Sequence, residues 1–259
     1  MNSSVGSKRS GSDLAGYRAS PREQRRAADL LALMRPAGAS ALDVSARDGH
    51  LSRLMVERYA RVVALDLAQP SIDHPRIECR QGDATKLPFH DASFDCVLCA
   101  EVLEHIPAQS LAAVCRELTR VARQAVVIGV PYKQDLRSGR TRCRRCGGVN
   151  PPWGHLNAFD EPRLSDLFEL LAAARISYVG STRQFTNPVS AALMDFAGNP
   201  FGTYEQHEPC VHCNEALTPP IARNGAQKVA TRLAFILDSV QRRFCAMHAN
   251  WIHIRFEKR

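Results

Sequence analysis

Short apolar runs alternate with stretches of helical periodicity along most of the chain. The segment SPREQRRAADLLALMRP sets Ser20 as an N-cap before Pro21, the first helical position, and its apolar residues recur at helical spacing until Pro36. Strand-length runs follow at SALDVSA, RVVALDLA, RIECRQGDA, FDCVLCAEVL and QAVVIGVP, with helical periods at HLSRLMVERYA and LAAVCRELTRVAR among them. Near-continuous apolar strands alternating with helices mark a parallel sheet covered on both faces. The expected architecture is α/β: a doubly wound, seven-stranded, mostly parallel sheet.

Past Pro131 the rhythm breaks. Residues 132–160 hold cysteines, Pro151, Pro152 and Trp153 with little periodicity, and residues 184–224 are again irregular and proline-rich, with a short helix at 191–196. Between them EPRLSDLFELLAAA predicts a helix and RISYVGSTR a strand. A longer helix over 227–248 precedes a closing strand, NWIHIRFEKR. The polar, Ser/Gly-rich first twenty residues predict a disordered tail, which leaves 21–259 as one domain carrying two inserts.

Composition changes this picture little. The chain has 259 residues, 45% of them hydrophobic, which suffices for a sizeable core. No window approaches the roughly 18 consecutive apolar residues of a membrane span, and the N-terminus lacks the apolar stretch of a secretory signal, so a cytoplasmic location is expected. The net charge of +8 gathers in the first 35 residues and in the arginine-rich run from Arg137 to Arg145. Such charge raises the question of a nucleic-acid partner. Aromatics are only 7% of the chain, with no basic platform interleaved with them, so nucleic acid stays open without being favoured.

Cysteine spacing is more informative. Several of the nine cysteines (Cys96, Cys99, Cys115) lie in apolar periodic segments and read as reduced core residues, as does Cys245 on the late helix. Cys143 and Cys146 in TRCRRCGGVN have a match in Cys210 and Cys213 of EPCVHCNEAL. Two Cys-x-x-Cys units in irregular stretches of a reduced protein are the ligand set of a structural tetrahedral zinc. The 63 intervening residues exceed ordinary finger spacing. Topology accounts for the excess: one pair follows the fifth strand and the other the sixth, and if both strands run parallel their loops leave one edge of the sheet. Zinc would then clip the two inserts into an accessory region beside a cleft. Redox chemistry is the rival, but a thioredoxin-type pair starts a helix directly after a strand, and neither pair does. His207 and His212 stand as substitute ligands, and Arg140, Arg142, Arg144 and Arg145 would offset part of the thiolate charge.

Ligands of doubly wound sheets bind beyond the carboxyl ends of the strands. The first strand leads into LDVSARDGHLSRL, where Ser45, Arg47 and Gly49 follow Asp43. Here the chain resembles the class I S-adenosylmethionine-dependent methyltransferases of the type 11 kind, whose first motif reads Asp-x-Gly-x-Gly-x-Gly. Only one of the three glycines is kept. The other landmarks follow in order: VVALDLA with Asp66 and Leu67, CRQGDATKLPF with Asp83 and Ala84, and ASFDCVLCAEVLEHIP with Ala100. The resemblance covers roughly 25–183 and the last strand. It implies cofactor contacts from Asp43, Ser45, Ala46, Arg47 and Gly49, the ribose hydroxyls on Asp66, and the adenine near Asp83 and Ala84. Arg47 reads equally well as a partner of the methionine carboxylate and as a solvated turn residue. A dehydrogenase is the main competitor, but the pattern G-x-G-x-x-G that a pyrophosphate needs is absent.

Glu101, Glu104 and His105 stand at i, i+3 and i+4, so a helical turn here would project all three from one face. This resembles the Glu-x-x-Glu-His element of the small-RNA 2′-O-methyltransferases and of the ubiquinone-pathway O-methyltransferases. The resemblance implies a divalent metal completed by a later histidine, for which His155 in WGHLNAF is the counterpart. The alternative is that these side chains hydrogen-bond near the acceptor without a metal. The sequence thus points to methyl transfer from S-adenosylmethionine to oxygen on a small molecule or sugar. An RNA methyltransferase, a protein methyltransferase and a non-catalytic protein of the same fold remain as alternatives, and the oligomeric state is undetermined.

Overall fold

The structure is a computed structural model that describes residues 16–35, 37–183, 185–206 and 208–258. His207 and the first fifteen residues of the expected tail lie outside them. In chain order the elements are α1 (Pro21–Leu33), β1 (Gly38–Val44), α2 (His50–Met55), β2 (Tyr59–Asp66), β3 (Ile77–Gln81), β4 (Phe94–Ala100), α3 (Ala108–Val121), β5 (Ala122–Pro131), β6 (Thr141–Arg142), β7 (Val149–Asn150), α4 (Glu161–Leu167), β8 (Leu171–Val179), α5 (Pro188–Phe196), α6 (Gly225–Arg242) and β9 (Trp251–Lys258). They fall into two compact units. Among the described residues, a sheet unit comprises those up to Tyr132, Phe159–Gly180 and those from Ala249 on, and an accessory unit draws on Lys133–Ala158 and Ser181–His248. The late helix α6 therefore belongs with the inserts.

The sheet unit holds seven strands in the order β3-β2-β1-β4-β5-β9-β8. The first five are mutually parallel, and β9 runs antiparallel to both β5 and β8. Consequently β8 is parallel to β5. Register brings Trp251 opposite Pro131 on one side and Val179 on the other, so the chain leaves and re-enters this unit at one edge of the sheet.

The apolar strands conceal a period of two. Leu42, Val44, Val63, Leu65, Val97 and Cys99 pack with α3 residues such as Val114 and Leu118. Their neighbours Ala41, Val62, Ala64, Cys96 and Leu98 pack on the other face with Leu30 of α1 and Met55 of α2. Both faces are buried, which is why no alternation was visible. Helix α1 is further pinned to the antiparallel edge, where Asp29 hydrogen-bonds Ser177 and His253, each at 2.6 Å.

Four expectations are corrected. Residues 16–19 form a helical turn where tail was expected, and Arg18 in it ion-pairs with Glu23 at 2.9 Å and Asp48 at 3.0 Å. The helix at EPRLSDLFELLAAA stops at Leu167, because Leu171–Ala174 pair with β9 as an edge strand and sheet pairing outweighs the helix preference of the alanines. The helix after β1 likewise stops at Met55, and Tyr59 and Ala60 already pair in β2. Helix α6 ends at Arg242, so Cys245 lies beyond it and is half-buried instead of core. No described helix is long and apolar enough to cross a membrane.

Candidate active site and cysteine cluster

Strand order reverses between β1 and β4, and the turn after β1 sits at that switch point. Asp43, near the end of β1, is 2% exposed and accepts a 2.5 Å hydrogen bond from the Ser52 hydroxyl of α2. Burial pushes its carboxyl up to about 7, and the Ser52 bond only partly opposes this.

The next residues explain the family's glycines. Ser45, Arg47 and Gly49 have φ of 66°, 48° and 77°. All three positions where the family carries glycine are left-handed, a conformation that costs an ordinary residue about 1–2 kcal/mol. Ser45 and Arg47 adopt it regardless, so the turn keeps its shape without their glycines. Gly49 is held more strictly, since a Cβ there would lie 2.3 Å from Ile72 Cδ1.

Backbone bonds lock this turn to β2. The Ser45 and Ala46 amides donate to the Leu65 carbonyl at 2.8 and 3.0 Å. Asp66 accepts from the Arg47 amide at 3.0 Å and, through its other oxygen, from the Leu67 amide at 2.7 Å. Leu67 beside it is 70% exposed, an apolar surface next to an acid. Asp83 is exposed and accepts from the amide and hydroxyl of Thr85, both at 2.8 Å, and these bonds hold its carboxyl below the usual range. Ala84 packs against the core beside it. A fixed carboxylate for a diol, an apolar side chain for a flat ring and a turn lacking the glycines of a pyrophosphate cradle fit S-adenosylmethionine.

At the end of β4, Ala100 is followed by Glu101 with φ 58° and then by a 3₁₀ turn, Leu103–His105. The helical face expected to carry Glu101, Glu104 and His105 therefore does not form, because the chain reverses hand at Glu101. A left-handed non-glycine residue at the switch point is a strained position of the kind that gathers at functional sites. The Arg26 guanidinium of α1, 3% exposed, stands 3.7 Å from the Glu101 carboxylate and grips Glu23 with two bonds of 2.8 Å. Burial raises the Glu101 carboxyl, opposed by Arg26 and by a hydrogen bond from the Trp251 side chain. Glu104 is fully buried, and neither of its carboxylate oxygens has a hydrogen-bond partner among the described residues. Burial and then the neighbouring Glu101 raise its carboxyl well above the ordinary range. His155 belongs to the accessory unit, where its Nδ1 meets the Gln134 side chain at 2.6 Å.

Sequence reasoning missed Glu23, Arg26, Ser52 and Trp251. One signal was available. Glu23, Arg26, Leu30 and Leu33 share the buried stripe of α1, and charges at helical spacing within an apolar face point to a buried ion pair. Trp251 reaches Glu101 only through strand pairing, which no local pattern announces.

Within the accessory unit, Cys143, Cys146, Cys210 and Cys213 come together with all four sulfurs within 4.8 Å. The shortest approaches run between the pairs, Cys143 to Cys213 and Cys146 to Cys210, each at 3.6 Å. A tetrahedron with Zn–S of about 2.3 Å has S···S of about 3.8 Å. A thioredoxin-like pair would instead close within one Cys-x-x-Cys. The two halves repeat one another. The Gly147 amide donates to the Cys143 carbonyl and the Asn214 amide to the Cys210 carbonyl, with φ of 73° and 58° at the donors. The Cys143 amide bonds the Gly148 carbonyl and the Cys210 amide the Glu215 carbonyl, both at 2.8 Å. Backbone amides are also aimed at sulfur. Burial opposes ionisation of Cys210, but the His212 and Cys213 amides outweigh it and hold the thiol below its usual range. Among the expected arginines, Arg145 pairs with Glu215 at 2.8 Å and Arg140 with Asp195 at 3.1 Å, so these two already have carboxylate partners. The His212 ring contacts the Val149 carbonyl at 3.0 Å.

Comparison with known proteins finds relatives of one kind. A family model described as a methyltransferase domain matches residues 42–128, from β1 into β5. A probable S-adenosylmethionine-dependent methyltransferase of Mycolicibacterium smegmatis is 31% identical over 113 residues, 41% of this chain and 43% of that protein. A ubiquinone biosynthesis O-methyltransferase of Idiomarina loihiensis is 40% identical over 80 residues, 27% of this chain and 33% of that one. The chain thus spans less than half the length of these curated relatives. Among solved structures, a putative methyltransferase from Bacillus halodurans superimposes with a TM-score of 0.55 over 90% of this chain and 99% of its own, at 16% identity. That likeness shows the fold. Residues 42–128 thus match a methyltransferase domain, and they sit in a sheet of the class I methyltransferase fold.

Proposed function

We propose that the chain transfers a methyl group from S-adenosylmethionine to an oxygen of a small-molecule or sugar acceptor, and that its four cysteines hold one structural zinc. The observation that carries the first reading is the turn at Ser45, Arg47 and Gly49, which keeps a left-handed backbone at three positions and presents Asp66 from a fixed position. That conservation of shape favours a cofactor-binding protein over one that lost binding with its glycines. The cofactor supplies a methyl group on a positively charged sulfur that leaves readily, so the chain has to align the acceptor and take its proton.

Glu101 suits the proton's uptake. Burial lifts its basicity above that of a free carboxylate while Arg26 keeps an ionised form accessible. Glu104, raised further, suits a neutral acid that holds the acceptor oxygen by a hydrogen bond. A divalent cation held by Glu104 and His105, whose ligand atoms lie within 4.8 Å of one another, is the second reading, favoured by the Glu104 oxygens that have no hydrogen-bond partner among the described residues. Turnover that survives dialysis into magnesium-free buffer supports the proton; turnover restored by added magnesium supports the cation. The name of the Idiomarina relative supports a hydroxyl acceptor. Radiolabelled S-adenosylmethionine offered with hydroxyaryl compounds, sugars, a peptide mixture and RNA tests the assignment. Label on the hydroxyl compounds supports it, and label confined to RNA or peptide overturns it.

A further inference from the structure

Helix α6 is built with its large residues outward. The positions it buries are small or polar, Ala230, Thr231, Ala234 and Asp238, and Asp238 is held by the Thr186 hydroxyl at 3.0 Å. Val229, Leu233, Ile236 and Val240 are all about half exposed, and Phe244, just past the helix, is 85% exposed. From Val229 to Val240 their spacing is that of one helical stripe, roughly 16 Å long, and Phe244 follows beyond its end. A helix serving a single interface turns its large apolar side chains toward it, so this stripe is a second contact surface.

The chemistry of its border identifies the partner. Lys228 and Arg232 are exposed along one flank of the stripe, Arg243 is exposed just past its end, and the sole acid between 225 and 248 is the buried Asp238. An apolar stripe bordered by cations alone matches a surface that is apolar within and negative at its edge. A second copy of this chain fits less well, because a two-fold pairing of the stripe brings the three bordering cations of one copy near those of the other. We propose that α6 lies flat on an anionic lipid bilayer, with Leu233, Ile236 and Val240 at the acyl boundary and Lys228, Arg232 and Arg243 against the headgroups. The helix does not span the bilayer, in keeping with its length and apolarity. This inference does not rest on methyl transfer, since vesicle binding and cofactor binding are measured separately.

The test is co-sedimentation of the full, zinc-loaded chain with vesicles of phosphatidylglycerol and phosphatidylcholine, and with phosphatidylcholine alone. The chain is expected to partition onto the anionic vesicles and to be released by salt. Leu233→Glu with Ile236→Glu lowers partitioning at least tenfold, and Arg232→Gln or Arg243→Gln lowers it about fivefold each. All four positions are exposed, so circular dichroism should not change. Absence of partitioning by folded protein, or equal partitioning by L233E/I236E, overturns the proposal. A chain that ignores vesicles but is a dimer that L233E/I236E makes monomeric assigns the stripe to a second copy and overturns it too.

Discussion

Asp66 and Arg47 are joined through the backbone: the carboxylate that ends β2 accepts the Arg47 amide at 3.0 Å, in the middle of a turn whose conformation glycine would adopt more easily. The turn therefore carries strain at Ser45 and Arg47. Replacing each with glycine is expected to stabilise the fold by up to about 1 kcal/mol, the relief of left-handed strain less the extra entropy of glycine. Gly49→Ala is expected to cost more than 2 kcal/mol, since it adds a collision with Ile72 to the same strain. Urea unfolding of the three variants checks both signs.

Arg26 and Glu23 form a buried pair, and Arg26 also faces Glu101. Arg26→Met leaves the buried Glu23 with Arg18 as its remaining cation and is expected to cost up to about 3 kcal/mol, while Glu23→Gln with Arg26→Met should cost less. The milder Arg26→Lys loses the two-pronged grip but keeps a cation. Weaker opposition to burial should raise the Glu101 carboxyl, so the acid limb of the pH–rate profile moves to higher pH.

Asp43 makes stability depend on pH. Burial favours the neutral form and pushes its folded carboxyl up to about 7, against the 3.8 of an aspartate in the open chain. Between those values the unfolded chain has lost the proton and the folded one has kept it, so stability falls as pH rises from 4 to 7. Above 7 both forms are ionised and the penalty is complete. Asp43→Asn removes the titration, and urea midpoints should show the wild type losing ground to it across that window.

The cysteine cluster predicts about one zinc per chain by elemental analysis. Cys143→Ser should lose most of it, and Cys210→Ser should behave alike because the two halves have the same backbone geometry. Cys96→Ser, in the sheet core, should keep the zinc while losing stability. A folded, zinc-free wild type contradicts the assignment.

The alternating pattern of the first 131 residues made the sheet legible because apolar strands and helical periods differ in length. The edge was harder. Leu171–Ala174 continue a helical rhythm and become strand only because β9 pairs with them. The cysteine cluster was legible from spacing and strand direction together, since β5 and β8 proved parallel. The helical face that the spacing of Glu101, Glu104 and His105 allows does not form, because nothing local to AEVLEH signals the reversal of hand at φ 58°. Arg26 and Trp251 reach Glu101 from distant parts of the sequence, and sequence periodicity cannot carry such contacts.

The central claim is that the turn after β1 and Asp66 bind S-adenosylmethionine. Isothermal titration calorimetry of the wild type and of Asp66→Ala tests it most directly. The expected result is saturable one-to-one binding by the wild type, weakened about 10- to 100-fold by the loss of the carboxylate's charge-assisted hydrogen bonds, with folding intact. A folded, zinc-loaded wild type that gives no binding heat at any temperature tried, or an Asp66→Ala variant that binds as tightly, would contradict it.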